Sequence, residues 1–240
     1  MSTKRIDKLL VHLVARGGRR DALLQHLPAL AEEWLAGAST APGRTTVLAA
    51  LVDDPMRATG LQQPTRAFDA TLEWKRSSDD AQAGFCGAVR GLADSLDDLV
   101  QADLCAAQLG TDKVFIDSEP MPIRYQYCMR RRHDFTAAQY LERYESIHSR
   151  FGIETRGIEG YAQLHIDPDV SLRACSEAGF GYSRTNSVSE LHMQSLEAFF
   201  AHAKHNAGIG ATEDEDRFVD RANSLAWNSE AIARSGSRTV

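Results

Sequence analysis

His148 is the residue in this chain best placed to do chemistry. It follows Tyr144 by four residues and precedes Phe151 by three, so on a helix its imidazole lies on an apolar face. A histidine so placed is either half-buried and bonded to backbone, or a general acid or base working from within an apolar wall. Tyr161, Gln163 and His165 alternate, so on a strand they share one face. If helices cover the other face, these three point into the interior of a barrel, although a surface-facing edge strand would show the same alternation. Asn186, Glu190 and His192 share a face in the same way. Glu190 beside His192 is either a carboxylate orienting a protonated imidazole or a structural contact. Tyr125 and Tyr127 form another same-face pair, either hydroxyl donors to a substrate oxygen or buried phenols satisfied by backbone.

Other chemistries find little support. No HxH, HxxxH or HExxH spacing links the histidines, so no metal is expected. Nucleophile elbows, P-loops and dinucleotide-binding glycine fingerprints are absent. Cys86, Cys105, Cys128 and Cys175 are scattered without CxxC pairing and read as reduced, mostly buried residues of a cytoplasmic protein. The net charge of −6 argues against a general nucleic-acid binder. Arg130-Arg131-Arg132-His133 is the one basic run, either a solvated turn or an anion-binding rim. No apolar core follows the positive start at Lys4-Arg5, and no apolar run approaches the roughly 20 residues needed to span a bilayer, so neither export nor membrane insertion is expected.

The elements that must position these residues come in two similar series. Strand, helix, strand, strand, helix, strand runs over 6–118 and again over 122–228. Lys8–Val14 aligns with Pro122–Cys128 at a shift of 114, and Phe68–Trp74 aligns with Thr185–Leu191 at 117. Two βαββαβ units mean two sheets, each with helices on one face and a bare face that needs a partner. Strands are expected at Leu9–Ala15, Thr45–Val52, Phe68–Lys75, Lys113–Ile116, 122–128, Tyr161–Ile166, Asn186–Met193 and Ser224–Trp227. The first helix begins at Asp21, with Pro28 as a kink or a late start, and the loop 37–43 follows it. After a connection at 56–65, Ser77–Asp80 caps one long helix reaching Leu99. Thr136 and Gln139 make a capping box, with Phe135 stapled onto Tyr140. Leu141, Tyr144, Ile147, His148 and Phe151 are expected along one face of that helix. Val170–Gly181 reads as a loop, Ser195 caps a helix, and His205–Ala211 is loop. Thr212–Glu215 forms an acidic helical turn, and the tail from Ile232 frays.

The second series resembles the EthD family within the dimeric α+β barrel superfamily. The resembling residues are Phe135, Tyr140, Tyr144 and His148, the strand Gly160–His165, Val188–Leu191 leading into Ser195–Phe199, and Asp216–Arg221. The first series resembles a diverged copy in which Trp34 stands where His148 would. The resemblance implies ferredoxin-like units paired face to face, here within one chain, each sheet with a cavity beside it and no metal or organic cofactor. The expected fold is therefore α+β, two tandem ferredoxin-like units forming an intramolecular barrel. The first unit covers 1–118 and the second, carrying the site, covers 119–240.

The function expected on this basis is cofactor-independent acid–base chemistry, namely elimination, decarboxylation or isomerisation, on a small apolar oxygenated molecule. His148 and His165 move protons, Tyr125 or Tyr127 polarises a carbonyl, and Gln163, Tyr144, Asn186, Glu190 and His192 contact substrate. The first unit, apolar at the matching positions (Trp34 for His148, Leu51 or Val52 for His165), serves as a structural lid. Cofactor-free monooxygenation and non-catalytic carriage of a hydrophobic metabolite are the alternatives. A homodimer of such barrels is compatible with either.

Overall fold

The computed structural model describes residues 4–37, 43–58, 68–76, 81–118 and 120–236. The expected loop at 37–43, most of the connection at 56–65, the cap at Ser77–Asp80 and the last four residues of the tail lie outside the described residues. Eight strands close into one antiparallel barrel, in the order β1-β3-β2-β8-β5-β7-β6-β4. They are β1 (Lys4–Leu13), β2 (Gly43–Ala50), β3 (Ala70–Arg76), β4 (Ala106–Ile116), β5 (Ile123–Met129), β6 (Gly160–Ile166), β7 (Ser187–Met193) and β8 (Leu225–Gly236). Among the described residues, no helix is long and apolar enough to cross a membrane.

Three strands run longer than the sequence suggests: β1 begins at Lys4 instead of Leu9, and the other two close the barrel. β4 starts at Ala106 instead of Lys113 and pairs with β6 from Gly110 to Ile116. β8 continues to Gly236, so residues 233–236 are paired with Arg44–Val47 of β2 instead of frayed, and the register shifts at Ile232. Unpaired edge groups are costly, and these two seams leave the sheet without an open edge.

The helices cover the outer face. They are α1 (Arg20–Gly37), α2 (Pro55–Ala58), α3 (Ala81–Val89), α4 (Leu92–Ser95), α5 (Ala137–Arg143), α6 (Ser149–Ile153), α7 (Pro168–Ala178), α8 (Leu196–Ile209) and α9 (Ala211–Glu215). Pro28 sits inside α1, and the expected long helix to Leu99 is broken between Val89 and Leu92. The expected loop at Val170–Gly181 is instead α7. Asp167 caps it by accepting from Asp169 and Val170, Pro168 sits in its first turn, and Ser171, Ala174, Cys175 and Ala178 are buried at helical spacing. The helix from Ser195 also continues past Ala203 to Ile209, replacing the start of the expected loop.

Strand alternation sorts the side chains into a lumen set and an outer set. Lys8, Glu73, Lys75, Asp112, Arg124 and Glu190 point into the lumen and are buried. Lys8 Nζ lies 3.0 Å from Glu73 and 3.4 Å from Asp112, and it also contacts Glu190. Lys75 lies 2.9 Å from Asp112, and Arg124 lies 2.9 Å from Glu73. Three cations thus face three carboxylates, which is what makes burial of each tolerable. Beyond them the lumen holds Leu10, His12, Cys128 and Trp227, with the His12 imidazole stacked on Phe68. Burial pushes that imidazole down to about 3, so it is neutral. All four cysteines are free and buried.

Burial alone would raise the Glu73 and Asp112 carboxyls. The cations around them (Arg124, Lys75 and Lys8 at Glu73; Lys75 and Lys8 at Asp112) hold both below their ordinary values of 4.5 and 3.8. Depressed folded-state values mean that this stabilisation is complete above about pH 4.5 and is lost as the pH falls through the folded values. A urea-denaturation series should therefore show a midpoint that already declines below about pH 6.5, where the unfolded chain protonates the histidines that burial keeps neutral at His12 and His202, and that declines further below about pH 4.5 as the carboxylates are protonated. Lys8→Met leaves buried carboxylates short of a cation and should cost about 3–5 kcal/mol. Arg90→Ala, which removes an exposed pair with Glu177, should leave the urea midpoint near the parent's.

Candidate functional site

The second-half helix that carries His148 is not a regular α-helix. Thr136 accepts from the Gln139 backbone N–H at 3.2 Å while Gln139 reaches back to the Thr136 N–H at 3.0 Å, so the capping box forms as the sequence indicates. After α5 the backbone widens into a π-helical turn at Tyr144–His148 before α6. The extra residue in the turn rotates the pattern. Tyr144, His148 and Phe151 are buried, whereas Ile147, expected on the same face, is 41% exposed. Such turns recur at functional sites because they re-aim a side chain. The Tyr144 carbonyl accepts from Ser149 N–H, closing the turn, and also from Gln163 Nε2 at 3.1 Å.

That re-aimed imidazole sits between two acids. His148 Nδ1 donates to Asp214 Oδ2 at 3.0 Å, and Nε2 lies 3.7 Å from Glu215 Oε1. Gly210, at φ +83°, turns the chain from α8 into α9, and α9 carries both acids. Arg143 grips the other Asp214 oxygen. Burial opposes ionisation of Asp214, but hydrogen bonds from His148 and Arg143 hold its carboxyl below the usual range. Glu215 is pushed the other way: burial raises its carboxyl against the pull of His148 and Arg221. The His148 ring is packed by Tyr144, Phe151 and Phe218.

His148 and Glu215 face a cavity of about 170 Å³ between the outer face of β5, β6 and β7 and the helices. Tyr125, Tyr127, Ser189 and Leu191 line its sheet side, and Phe199, His202 and Asn206 of α8 line the helix side. Met56, from the first half, closes one edge. Burial pushes both phenols up, and the neighbouring Glu215 carboxylate adds to this, so Tyr125 and Tyr127 are un-ionised hydrogen-bond donors. Burial also lowers His202, to about 4, which keeps it neutral near pH 7.

The structure therefore brings together His148, Tyr125 and Tyr127 and places the other sequence candidates elsewhere. Tyr161, Gln163 and His165 do share a face, but it is the helix-facing one, because Ala162 and Leu164 take the lumen side. Tyr161 lines the cavity. Gln163 supports the π turn behind the cavity wall, and His165 bonds Gln163 at 3.3 Å with its ring 5.7 Å from that of Tyr144. Tyr144 is packed behind His148 and is not a lining residue. Glu190 and His192 point into the lumen, so they do not reach the cavity. Glu190 binds Lys8 and Gln126, and His192 Nδ1 meets Ser118 at 2.9 Å. Asn186 precedes β7, where its side-chain oxygen accepts from Arg131 N–H. Trp34, which the sequence reading set opposite His148, stacks on Trp74 at 5.6 Å.

Sequence reading missed Asp214, Glu215, Arg221, His202 and Met56. Phe199, His202 and Asn206 recur at helical spacing, a signal hidden by reading His205–Ala211 as loop. The acids lay in a segment read only as an acidic turn.

No family model and no curated protein matches the chain. Among solved structures, a proposed monooxygenase from Lactobacillus acidophilus is similar at a TM-score of 0.55 and 10% identity, over 98% of this chain and 97% of that one. A proposed chlorite dismutase is similar at 0.53 and 9% identity, over 95% and 96%. A haem-binding protein from Thermus thermophilus is similar at 0.52 and 10% identity, over 97% and 94%. At such identities the likeness shows the fold alone.

One of these similar proteins is described as haem-binding, and the cavity here does not fit that group. An axial histidine needs one ring nitrogen open to iron. His148 meets that need, since Asp214 holds Nδ1 and Nε2 makes no hydrogen bond among the described residues. The volume does not: about 170 Å³ is less than the roughly 300–1,000 Å³ that drug-sized ligands occupy, and haem is no smaller than these.

Gly152 sets the cavity wall nearest Tyr161, where an added Cβ would lie 2.4 Å from the ring. Gly152→Ala should therefore displace Tyr161 and cost about 1–3 kcal/mol, the usual range for overpacking, read as a lowered urea midpoint.

Proposed function

We propose that this protein is an enzyme moving protons on a small, largely apolar oxygenated molecule held in the cavity beside β5, β6 and β7. The observation that carries this reading is the His148–Asp214 hydrogen bond at the wall of a cavity that opens to solvent. Asp214 fixes the tautomer with the proton on Nδ1, which leaves Nε2 as the nitrogen able to accept a proton, and its negative charge stabilises the imidazolium that results. Tyr125 and Tyr127 supply un-ionised phenols that can donate to a carbonyl oxygen as charge develops there. Glu215, a buried carboxyl held up in its range, is a second group able to exchange a proton with bound substrate. Together these suit proton abstraction beside a carbonyl followed by isomerisation, elimination or decarboxylation.

The substrate is smaller than a typical drug-sized ligand, given the cavity volume, and meets Leu191, Phe199 and Met56 on its apolar sides. The fold shared with a proposed monooxygenase favours a second reading. The carbanion formed by the same proton abstraction would react with dioxygen, and comparing turnover with and without oxygen separates the two.

The finer architecture is also a proposal. We read 1–118 and 119–240 as two tandem ferredoxin-like units of EthD type. The repeated orders β4-β1-β3-β2 and β8-β5-β7-β6 support this, with the first unit serving as a structural lid.

A thermal-shift screen of small aromatic and keto compounds supplies a ligand, since one that binds only the folded state raises the midpoint. With a turned-over hit in hand, His148→Ala should lower kcat by about 10²-fold or more, and Asp214→Asn should lower it through loss of the fixed tautomer. Trp34→Phe should cost stability and little rate. Full activity in His148→Ala beside an inactive but folded Trp34→Phe would place the chemistry in the first half.

A further inference from the structure

A second concave site lies at the end of the barrel, formed by segments that the proposed chemistry does not use. Arg130 and Arg131 leave the end of β5, and Arg184, Thr185 and Asn186 lead into β7. The β5–β7 ladder ends at Met129 opposite Ser187, so the two segments emerge side by side. With His133, Pro168 at the start of α7, Tyr182 and Asp220, they line a cleft of about 380 Å³.

The charges in this cleft are unbalanced. Among the described residues, the guanidinium groups of Arg130 and Arg184 make no ion pair and no hydrogen bond. Arg131 spends its guanidinium on the backbone carbonyls of Arg132 and Phe135, which fixes its position without neutralising it. Asp220 is the one lining carboxylate, and it accepts from Asn223 Nδ2 at 2.8 Å. Asp169 lies close enough to act electrostatically on Tyr182. Asn186 gives its side-chain oxygen to Arg131 N–H at 2.9 Å, which leaves its amide donors available. The neighbouring Arg132 pairs with Asp134 and is thus the member of the basic run that is neutralised.

We propose that this cleft binds a compact polyanion with oxygen acceptors. In a chain of net charge −6, three arginines converging on one concavity focus a positive field that a bound anion relieves. Planar guanidinium groups bind oxyanions through paired N–H donors. The volume is several times the roughly 30 Å³ share of one water, so it accommodates two or three anionic groups on one ligand. Such chemistry belongs to a diphosphate or to a small polycarboxylate.

Calorimetric titration of the full chain with pyrophosphate and, separately, with citrate tests this. The expected result is saturable binding of at least one of the two. That binding weakens on adding salt and falls at least about tenfold, or about 1.4 kcal/mol, in the double variant Arg130→Ala/Arg184→Ala. The unfolding midpoint of that variant should stay near the parent's. A preference for pyrophosphate identifies a phosphate ligand, and a preference for citrate identifies a polycarboxylate. Absence of binding by both probes overturns the proposal. So does binding unchanged in the double variant, or an equal loss in Arg90→Ala, whose arginine is exposed and remote from the cleft.

Discussion

Closure of the barrel is the constraint on which the rest of the structure depends. Eight strands joined through the β2–β8 and β4–β6 seams leave no edge and separate two environments. The lumen is walled on all sides and filled with side chains. The outer face must be covered by helices. Polar residues are therefore sorted by strand parity alone, and parity decides which of them can meet a ligand. Glu190 and Gln126 fall on the lumen side and become structural, neutralising or bonding one another and Lys8. Tyr125, Tyr127, Ser189 and Leu191, their neighbours one residue away, fall on the helix side and form the floor of the cavity.

The lumen pays for its charges by pairing them. Lys8 alone touches three carboxylates, and this dense cluster ties β1 and β3 and β4 of the first half to β5 and β7 of the second. The candidate site rests on a different kind of order. A π turn, a left-handed glycine and a short acidic helix bring His148, Asp214 and Glu215 together from two segments about 66 residues apart in sequence. Arg143 and Gln163 hold the two sides of that arrangement, one at the carboxylate and the other at the π-turn carbonyl.

What was legible in the sequence follows from the same physics. Local signals translated directly: the Thr136–Gln139 capping box, the Ser195 cap and the position of most strands. That Tyr125 lies beside Tyr127, and His148 beside Tyr144 and Phe151, was legible because spacing within one strand or helix fixes which side chains lie together. Whether a strand face met helices or lumen depended on closure, which is long-range, so Tyr161, Gln163 and His165 were aimed the wrong way and Glu190 and His192 were grouped with the site. The seams were missed for a related reason: the residues of β8 beyond Trp227 are mostly small or polar, and only the pairing with β2 makes them a strand. The α7 segment was different. Its Asp167-Pro168 start and its buried spacing were readable, and the polar composition outweighed them. Asp214 and Glu215 needed the tertiary approach of α9 to the π turn, which no local pattern announces.

The central claim is that small molecules meet this protein in the cavity bounded by His148 and His202, outside the barrel wall. Long-range proton–nitrogen NMR of the histidine rings during titration with a ligand from the screen reads this directly, since His12 and His192 report on the lumen side and His148 and His202 on the cavity. The account predicts saturable changes at the His148 and His202 ring nitrogens, with His148 keeping its proton on Nδ1 in the free protein and with His12 and His192 unmoved. Changes confined to His12 or His192, or a free His148 carrying its proton on Nε2 alone, would contradict it.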